Sequence, residues 1–258
     1  MLFIKKLHYF EKVTSNTFLT GSLDNLIKLW CLDTGDCIKT FLSQGATCLK
    51  TLTEETFASG SFSQIVIWSL NEDNFVKKID EAHTGFVWSL ELLPNGNLVS
   101  SSQDKTIKVW DIEEAACLKV LEGHTMDVYF IILLCNGHLA SASWDKSIRI
   151  WDLDKGNCLR ILKGHVNLVY SLALKDSGNE LFSCSDDQTI KIWNMLSGKC
   201  VKTLNGHTGS VRCIIEYDSD QLVSCSDDKT IKFWNLDSGE CVRTVEGHEM
   251  SVNCLILI

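Results

Sequence analysis

The strongest constraint on the fold of this chain is an internal repeat of about 41 residues. Six tryptophans recur in near-identical settings, and five histidines follow the same period. The tryptophans are Trp30, Trp68, Trp110, Trp151, Trp193 and Trp234, and the histidines are His83, His124, His165, His207 and His248. A repeat of this length indicates supersecondary units that stack, because one such unit cannot bury its apolar face alone.

Each repeat has the pattern of four short strands. In the fourth repeat, the apolar runs VYFIILL, LASAS, SIRIWD and CLRIL are separated by residues that favour turns. No segment keeps a 3.6-residue apolar period, so almost no helix is expected. The sequence therefore predicts an all-β protein built from four-stranded antiparallel units.

Four of the repeats share almost the same phrase around tryptophan. These phrases are SSSQDKTIKVWD, SASWDKSIRIWD, SCSDDQTIKIWN and SCSDDKTIKFWN, and glycine precedes four of the five histidines. The recurring Gly-His and Trp-Asp pairs resemble the WD-repeat β-propeller family over essentially the full length of the chain. The resemblance implies a β-propeller, in which four-stranded antiparallel blades surround a central channel.

The repeats divide the chain into six complete units and the first strand of a seventh. We expect a single propeller domain over residues 1–258, with repeats at 1–42, 43–81, 82–122, 123–163, 164–205, 206–246 and a partial one at 247–258. Because propellers of this family often have seven blades, the resemblance implies a fragment of a seven-bladed ring. A six-bladed ring with one spare strand is the alternative.

In four repeats, His, Ser, Asp and Trp recur as a tetrad. The tetrads are His83, Ser100, Asp104, Trp110; His124, Ser141, Asp145, Trp151; His165, Ser183, Asp187, Trp193; and His207, Ser224, Asp228, Trp234. Ser, His and Asp also form hydrolase triads, but four active sites in one chain are implausible. The resemblance implies a buried structural network in which Asp accepts a hydrogen bond from His, His bonds Ser, and Ser bonds the indole N–H.

The composition argues against several classes of function. The net charge of −9 argues against nucleic-acid binding and against an anionic membrane surface. No apolar run is long enough to span a membrane. The 12 cysteines include no Cys-x-x-Cys pair, which favours an intracellular protein, cytoplasmic or nuclear. We expect these cysteines to pack as small apolar residues, with no metal, no cofactor and no small-molecule substrate.

Partner binding is predicted where the repeats differ. In the family, the histidine loop and the aspartate turn open on the narrow face of the propeller. Three positions per blade look outward there: the third and fifth after histidine, and the one before aspartate. From these positions, and from Phe62 aligned through a gap, the candidate partner-binding residues are Phe62, Phe86, Trp88, Asp127, Tyr129, Trp144, Tyr170, Asp186, Arg212 and Asp227.

Exposed aromatic clusters are typical of interface hot spots, and aromatics beside carboxylates suit a basic or Arg-containing segment. The leading interpretation is therefore a non-catalytic scaffold that binds peptide or protein partners on the narrow face. One alternative is the substrate-recognition propeller of a ubiquitin ligase. It is disfavoured because recognition of phosphate needs an arginine cluster, and only Arg212 lies on this face. The other alternative is an enzyme with an active site at the channel mouth.

Overall fold

The computed structural model describes residues 7–22, 24–72 and 74–255. In these ranges every regular element is a β-strand, and the 24 strands form six four-stranded sheets. Each sheet is an antiparallel meander whose strands follow chain order, and each lies within one of the predicted repeats. The described part of the chain holds no helix long and apolar enough to cross a membrane.

The first of two compact units, Met1–Glu122, contains three of the sheets. Its strands are β1 (Leu7–Lys12), β2 (Thr17–Ser22), β3 (Leu26–Cys31), β4 (Cys37–Leu42), β5 (Cys48–Thr51), β6 (Thr56–Gly60), β7 (Ile65–Ser69), β8 (Phe75–Ile79), β9 (Val87–Leu92), β10 (Leu98–Ser102), β11 (Ile107–Asp111) and β12 (Ala116–Leu121).

The second unit, Gly123–Leu257, contains the other three sheets. Its strands are β13 (Val128–Leu133), β14 (Leu139–Ser143), β15 (Ser147–Asp152), β16 (Asn157–Lys163), β17 (Val169–Leu174), β18 (Glu180–Ser185), β19 (Ile190–Asn194), β20 (Lys199–Leu204), β21 (Val211–Asp218), β22 (Gln221–Ser226), β23 (Ile231–Asn235) and β24 (Cys241–Val245).

The predicted seventh repeat starts along the same path as its predecessors. The Val252 N–H donates to the Ser226 carbonyl at 3.1 Å, as the Val87 N–H donates to the Ser61 carbonyl at 3.0 Å. No strand is assigned over 246–255, and 256–258 lie outside the described residues. The single propeller domain and the seven-bladed ring stay predictions.

Within each unit, neighbouring sheets pack face to face through their apolar side chains. Ile148, Ile150 and Leu162 from one sheet form a buried cluster with Val169, Leu172, Leu181 and Trp193 from the next. Aliphatic residues on the third and fourth strands therefore cover the first and second strands and the tryptophan of the following sheet. Alternation along each strand makes this possible, because successive side chains point to opposite faces.

The packing prediction is wrong for the cysteines of the fourth strands. Cys184 and Cys225 on second strands are buried as expected, whereas Cys213 on a first strand is half-buried. The fourth-strand cysteines are exposed or half-buried: Cys37, Cys117, Cys158, Cys200 and Cys241. The fourth strand is the outer edge of its sheet, so these thiols donate instead to the carbonyl two residues along, as Cys117 does to Lys119 at 3.5 Å.

Candidate functional site

The four tetrads are continuous hydrogen-bonded chains. In the fifth repeat the Trp193 indole N–H donates to Ser183 Oγ at 2.8 Å, and Ser183 Oγ lies 2.7 Å from His165 Nε2. His165 Nδ1 lies 2.8 Å from Asp187 Oδ2. An indole only donates and a carboxylate only accepts, so a neutral histidine donates through Nδ1–H and accepts from serine. The third, fourth and sixth repeats hold the same chains, with distances between 2.7 and 2.8 Å.

The tetrad aspartate also organises its own turn. Asp187 Oδ1 accepts from the backbone N–H of Thr189 at 3.0 Å and from its hydroxyl at 2.6 Å, and Oδ2 accepts from the Val166 N–H at 3.0 Å. Burial opposes the charge on this carboxylate, but the donors prevail and hold its pKa well below the usual range. Sequence reasoning missed the hydroxyl residue, although Asp-x-Thr/Ser recurs in all four repeats: Thr106, Ser147, Thr189 and Thr230.

The tetrads are unsuited to hydrolysis despite their Ser, His and Asp content. The serine in each of them has 0% of its surface exposed, and its oxygen already receives the indole N–H. A substrate carbonyl therefore has no path to the hydroxyl. Among the described residues, no three His, Cys, Asp or Glu side chains form a group that could hold a metal ion.

The first two repeats carry shortened versions of this network. The Trp30 indole N–H donates to Thr20 Oγ1 and the Trp68 indole N–H to Ser59 Oγ, each at 2.8 Å. The link from tryptophan to a hydroxyl is thus kept in these sheets. The start of the first repeat, Met1 to Lys6, lies outside the described residues.

The histidines make stability depend on pH. Burial lowers the pKa of His83, His124 and His207, although the partner aspartates oppose this effect. In the unfolded chain these groups protonate below about pH 6.5, whereas in the fold they stay neutral to lower pH. The unfolded state therefore binds more protons as pH falls, and stability is lost from about pH 6.5 downward. We expect the melting temperature to fall by a few degrees from pH 7.5 to pH 5.

Calorimetry at fixed ionic strength tests this pH dependence. His207→Gln removes one titrating group, so its melting temperature should change less steeply with pH than that of the wild type. A melting temperature that stays constant between pH 7.5 and pH 5 would show that the buried histidines are not held neutral.

In the first unit, three candidate residues form a continuous aromatic row. Phe62 packs edge-to-face on Phe86 with ring centroids 5.1 Å apart, and Phe86 stacks on Trp88 at 5.3 Å. Phe62 and Phe86 also form a β-bridge that joins the second and third sheets. Phe62 is 55% exposed, while the other two rings are half-buried. Phe62 lies in the turn of the second repeat, which has no aspartate.

In the second unit, three further candidate rings lie together. Tyr129 stacks on Trp144 with centroids 5.8 Å apart and contacts Tyr170 edge-to-face at 5.5 Å. Tyr129 and Trp144 are half-buried, whereas Tyr170 is only 5% exposed. Tyr170 is therefore the buried ring of this group, and Tyr129 packs between it and Trp144.

The charged candidates of the second unit are paired within the chain. Arg212 donates through Nε and Nη2 to Asp227, and its guanidinium lies 4.4 Å from the centroid of the Tyr170 ring. Asp186 accepts from Asn167 and from Ser210. Asp127 is 8% exposed. From the sequence, we expected a partner's arginine to contact the aromatic rings and carboxylates of this end. Arg212 of this chain already makes such contacts, with the Tyr170 ring and with Asp227.

A solved structure with the same architecture defines the class of this protein. The chain is similar to the WD40 β-propeller domain of Doa1, with a TM-score of 0.82 and 26% identity, over 95% of this chain and 84% of that one. This similarity confirms the predicted all-β propeller fold. A family model, the WD domain G-beta repeat, matches residues 74–111, 115–152, 156–194 and 198–235, more than half of the chain. The chain belongs to the WD-repeat family.

Curated relatives match only parts of the chain. WD repeat-containing protein 89 homolog of Dictyostelium discoideum is 33% identical over 103 residues, which are 39% of this chain and 29% of that protein. Human pre-mRNA-processing factor 17 is 33% identical over 101 residues, 36% of this chain and 17% of that protein. U3 small nucleolar RNA-associated protein 12 of Saccharomyces cerevisiae is 29% identical over 106 residues, 38% and 11%. This chain spans less than a third of each relative.

Proposed function

We propose that this protein is a non-catalytic scaffold that binds peptide or protein partners at the end of the sheets where the histidine loops and aspartate turns lie. The observation that carries the proposal is the grouping of partly exposed aromatic rings at that end, in positions that differ between repeats. Aromatic side chains supply much of the binding energy of protein interfaces. The repeated positions, by contrast, are occupied by the tetrads and buried.

Charge at this end of the second unit favours a basic segment as partner. Asp127, Asp186 and Asp227 carry three negative charges against the single positive charge of Arg212. Because Asp227 is paired with Arg212, a partner's lysine or arginine would approach Asp186 and the Trp144 ring. A cation over an aromatic face gains about 0.5–2 kcal/mol, depending on its desolvation.

The two alternative functions have less support. A ubiquitin-ligase receptor for phosphorylated motifs needs free guanidinium groups, and Arg212 is held by Asp227 on both carboxylate oxygens. An enzyme that used the tetrads for hydrolysis would need an accessible nucleophile, and the tetrad serines are buried. One relative is named for association with U3 small nucleolar RNA and another for pre-mRNA processing. For this chain we propose a place in an intracellular protein complex, nuclear or cytoplasmic, without direct nucleic-acid contact, because its net charge is −9.

Replacing one exposed tryptophan in each unit tests the proposal. Trp88→Ala/Trp144→Ala should lose the specific partners captured from lysate, because each change removes a ring that other aromatic residues hold in place. Leu196→Ala is the matched control, since Leu196 is 89% exposed on a turn at the opposite end of its sheet. Capture is measured by quantitative mass spectrometry after both variants are shown to melt like the wild type. Unchanged capture by the double variant would contradict the proposal.

A further inference from the structure

Two cysteines lie opposite each other on neighbouring strands of the sixth sheet. Cys213 on β21 and Cys225 on β22 are register partners in the antiparallel hairpin that these strands form. Opposite residues of such a pair have Cα atoms about 4.5–5.5 Å apart, and disulfides join Cα atoms about 4.4–6.8 Å apart. Opposite side chains also project from the same face of the sheet. A bond between the two sulfurs therefore needs no change of strand pairing.

The same register position in other sheets holds different pairs. In the second to fifth sheets these pairs are Cys48 with Gly60, Ser89 with Ser101, Phe130 with Ala142, and Ser171 with Cys184. Among these five sheets, only the sixth has a thiol on both strands. The serine pair of the third sheet shows that serine is accommodated on either strand at this position.

The two thiols of the sixth sheet differ in reactivity. The Cys225 thiol donates a hydrogen bond to the Cys213 sulfur, which lowers the pKa of Cys213 although burial opposes this shift. The same hydrogen bond and burial raise the pKa of Cys225. Cys213 is half-buried, whereas Cys225 is 0% exposed. Because the thiolate is the reactive form of cysteine, Cys213 is the sulfur that a small oxidant attacks first.

Two further cysteines lie near this pair, Cys184 on β18 and Cys254. Neither is a register partner of Cys213. Cys184 pairs with Ser171 in its own sheet, and Cys254 lies in a segment without an assigned strand. Register therefore favours Cys225 as the thiol that reacts with an oxidised Cys213.

We propose that Cys213 and Cys225 form a site of reversible oxidation, at which a peroxide converts the two thiols into a disulfide. The Cys213 thiolate attacks one oxygen of hydrogen peroxide: an S–O bond forms, the O–O bond breaks, and hydroxide leaves and takes up the proton that Cys213 had released. The Cys225 sulfur then attacks Cys213 Sγ. The S–S bond forms, the S–O bond breaks, and the departing hydroxide takes the Cys225 proton.

The balance of this reaction is complete. The two thiols together lose two electrons and two protons, and one hydrogen peroxide becomes two waters. A dithiol reductant reverses the oxidation by thiol–disulfide exchange, so the bond is transient in a reducing compartment. The site is separate from the aromatic end and does not rest on the function proposed for that end.

Peptide mapping of the full chain tests the proposal. Cleavage after Arg212 and Lys229 releases both cysteines in one peptide, residues 213–229. The reduced protein is treated with hydrogen peroxide, its remaining thiols are alkylated, and the digest is analysed by mass spectrometry without reduction. We expect this peptide to carry no alkyl group and to be lighter by two hydrogens than the reduced form. Dithiothreitol should restore its two thiols.

Two variants and a rate comparison sharpen the test. Cys225→Ser should leave Cys213 as a sulfenic acid that dimedone captures. Cys241→Ser is the matched control, because Cys241 is an exposed thiol of the same sheet whose register partner is Trp234, and it should leave the disulfide unchanged. In the wild type, Cys213 should be oxidised at least about tenfold faster than Cys241, despite its lower exposure, since its thiolate is favoured.

Three outcomes would overturn the proposal. These are a peptide 213–229 that stays fully alkylated after peroxide treatment, a main product that joins Cys213 to Cys184 or Cys254, and oxidation of Cys213 no faster than that of Cys241. Serine occupies both equivalent positions in the third sheet, so Cys225→Ser should fold. The mapping of the wild type stays decisive even if that variant does not fold.

Discussion

Asp187→Ala should lower the free energy of unfolding by about 3 kcal/mol, because it leaves the buried His165 N–H and the donors of Thr189 without an acceptor. For a chain of this size, that loss corresponds to a fall in melting temperature of roughly 6–12 °C. Denaturant unfolding followed by tryptophan fluorescence measures the change in free energy directly.

The neighbouring residue provides the control for this experiment. Asp186 lies on the same turn and is half-buried, with Asn167 and Ser210 as its partners outside the tetrad. Asp186→Ala should therefore cost well under 3 kcal/mol. Equal destabilisation by the two alanine variants would mean that the tetrad contributes no more than any polar contact of the turn.

The second large effect is expected in the first unit, where Lys50 lies between two carboxylates. Lys50 Nζ is 3.0 Å from Glu91 Oε1, and Glu11 Oε1 accepts from the Thr51 N–H at 3.0 Å. Burial opposes the charge on Lys50, but Glu91 and Glu11 together keep its pKa above the ordinary value. Burial raises the pKa of Glu11, and Lys50 opposes that shift. Lys50 is therefore the counter-charge that both carboxylates share.

Lys50→Met should lower the free energy of unfolding by about 3–5 kcal/mol at pH 7, because it leaves both carboxylates without their counter-charge. In this variant burial still raises the pKa of Glu11 in the fold, and the opposing charge of Lys50 is gone. Folding therefore favours the protonated form, so the difference from wild type should shrink as pH falls toward 4. Urea unfolding at pH 7 and at pH 4.5 measures both effects.

An exposed ion pair is the matched control for Lys50. Lys78 lies 2.8 Å from Asp80, whose side chain is well exposed. Lys78→Met should cost less than about 1 kcal/mol, as is usual for surface ion pairs. A Lys50→Met variant as stable as Lys78→Met at pH 7 would contradict the account of the buried charges.

The sheets and the tetrads were predictable because the sequence repeats them. A Ser, His, Asp and Trp at fixed spacing can be aligned four times, so their proximity follows from the period. Charges that occur once are different. Glu11, Lys50 and Glu91 lie about one repeat apart on β1, β5 and β9, and only a comparison of equivalent first-strand positions would have aligned them.

The candidate partner-binding residues were predictable as positions but not as contacts. Spacing from histidine placed Tyr170, Arg212 and Asp227 in one predicted group. It did not indicate that Arg212 would stack on Tyr170 and pair with Asp227, because these contacts depend on how two sheets pack. The exposed fourth-strand cysteines were mispredicted for a similar reason: a regular spacing does not tell an inner strand from an outer edge.

We propose that the repeated residues stabilise the fold and that the variable residues bind the partner. This division is tested by the dissociation constant of a purified partner. It is measured for wild type, Trp144→Ala and Asp187→Ala at a temperature where all three are folded. Trp144→Ala should weaken binding by at least about tenfold, the effect of a hot-spot ring. Asp187→Ala should bind like the wild type despite its lower stability. Wild-type affinity in Trp144→Ala, together with weakened binding in Asp187→Ala, would contradict the account.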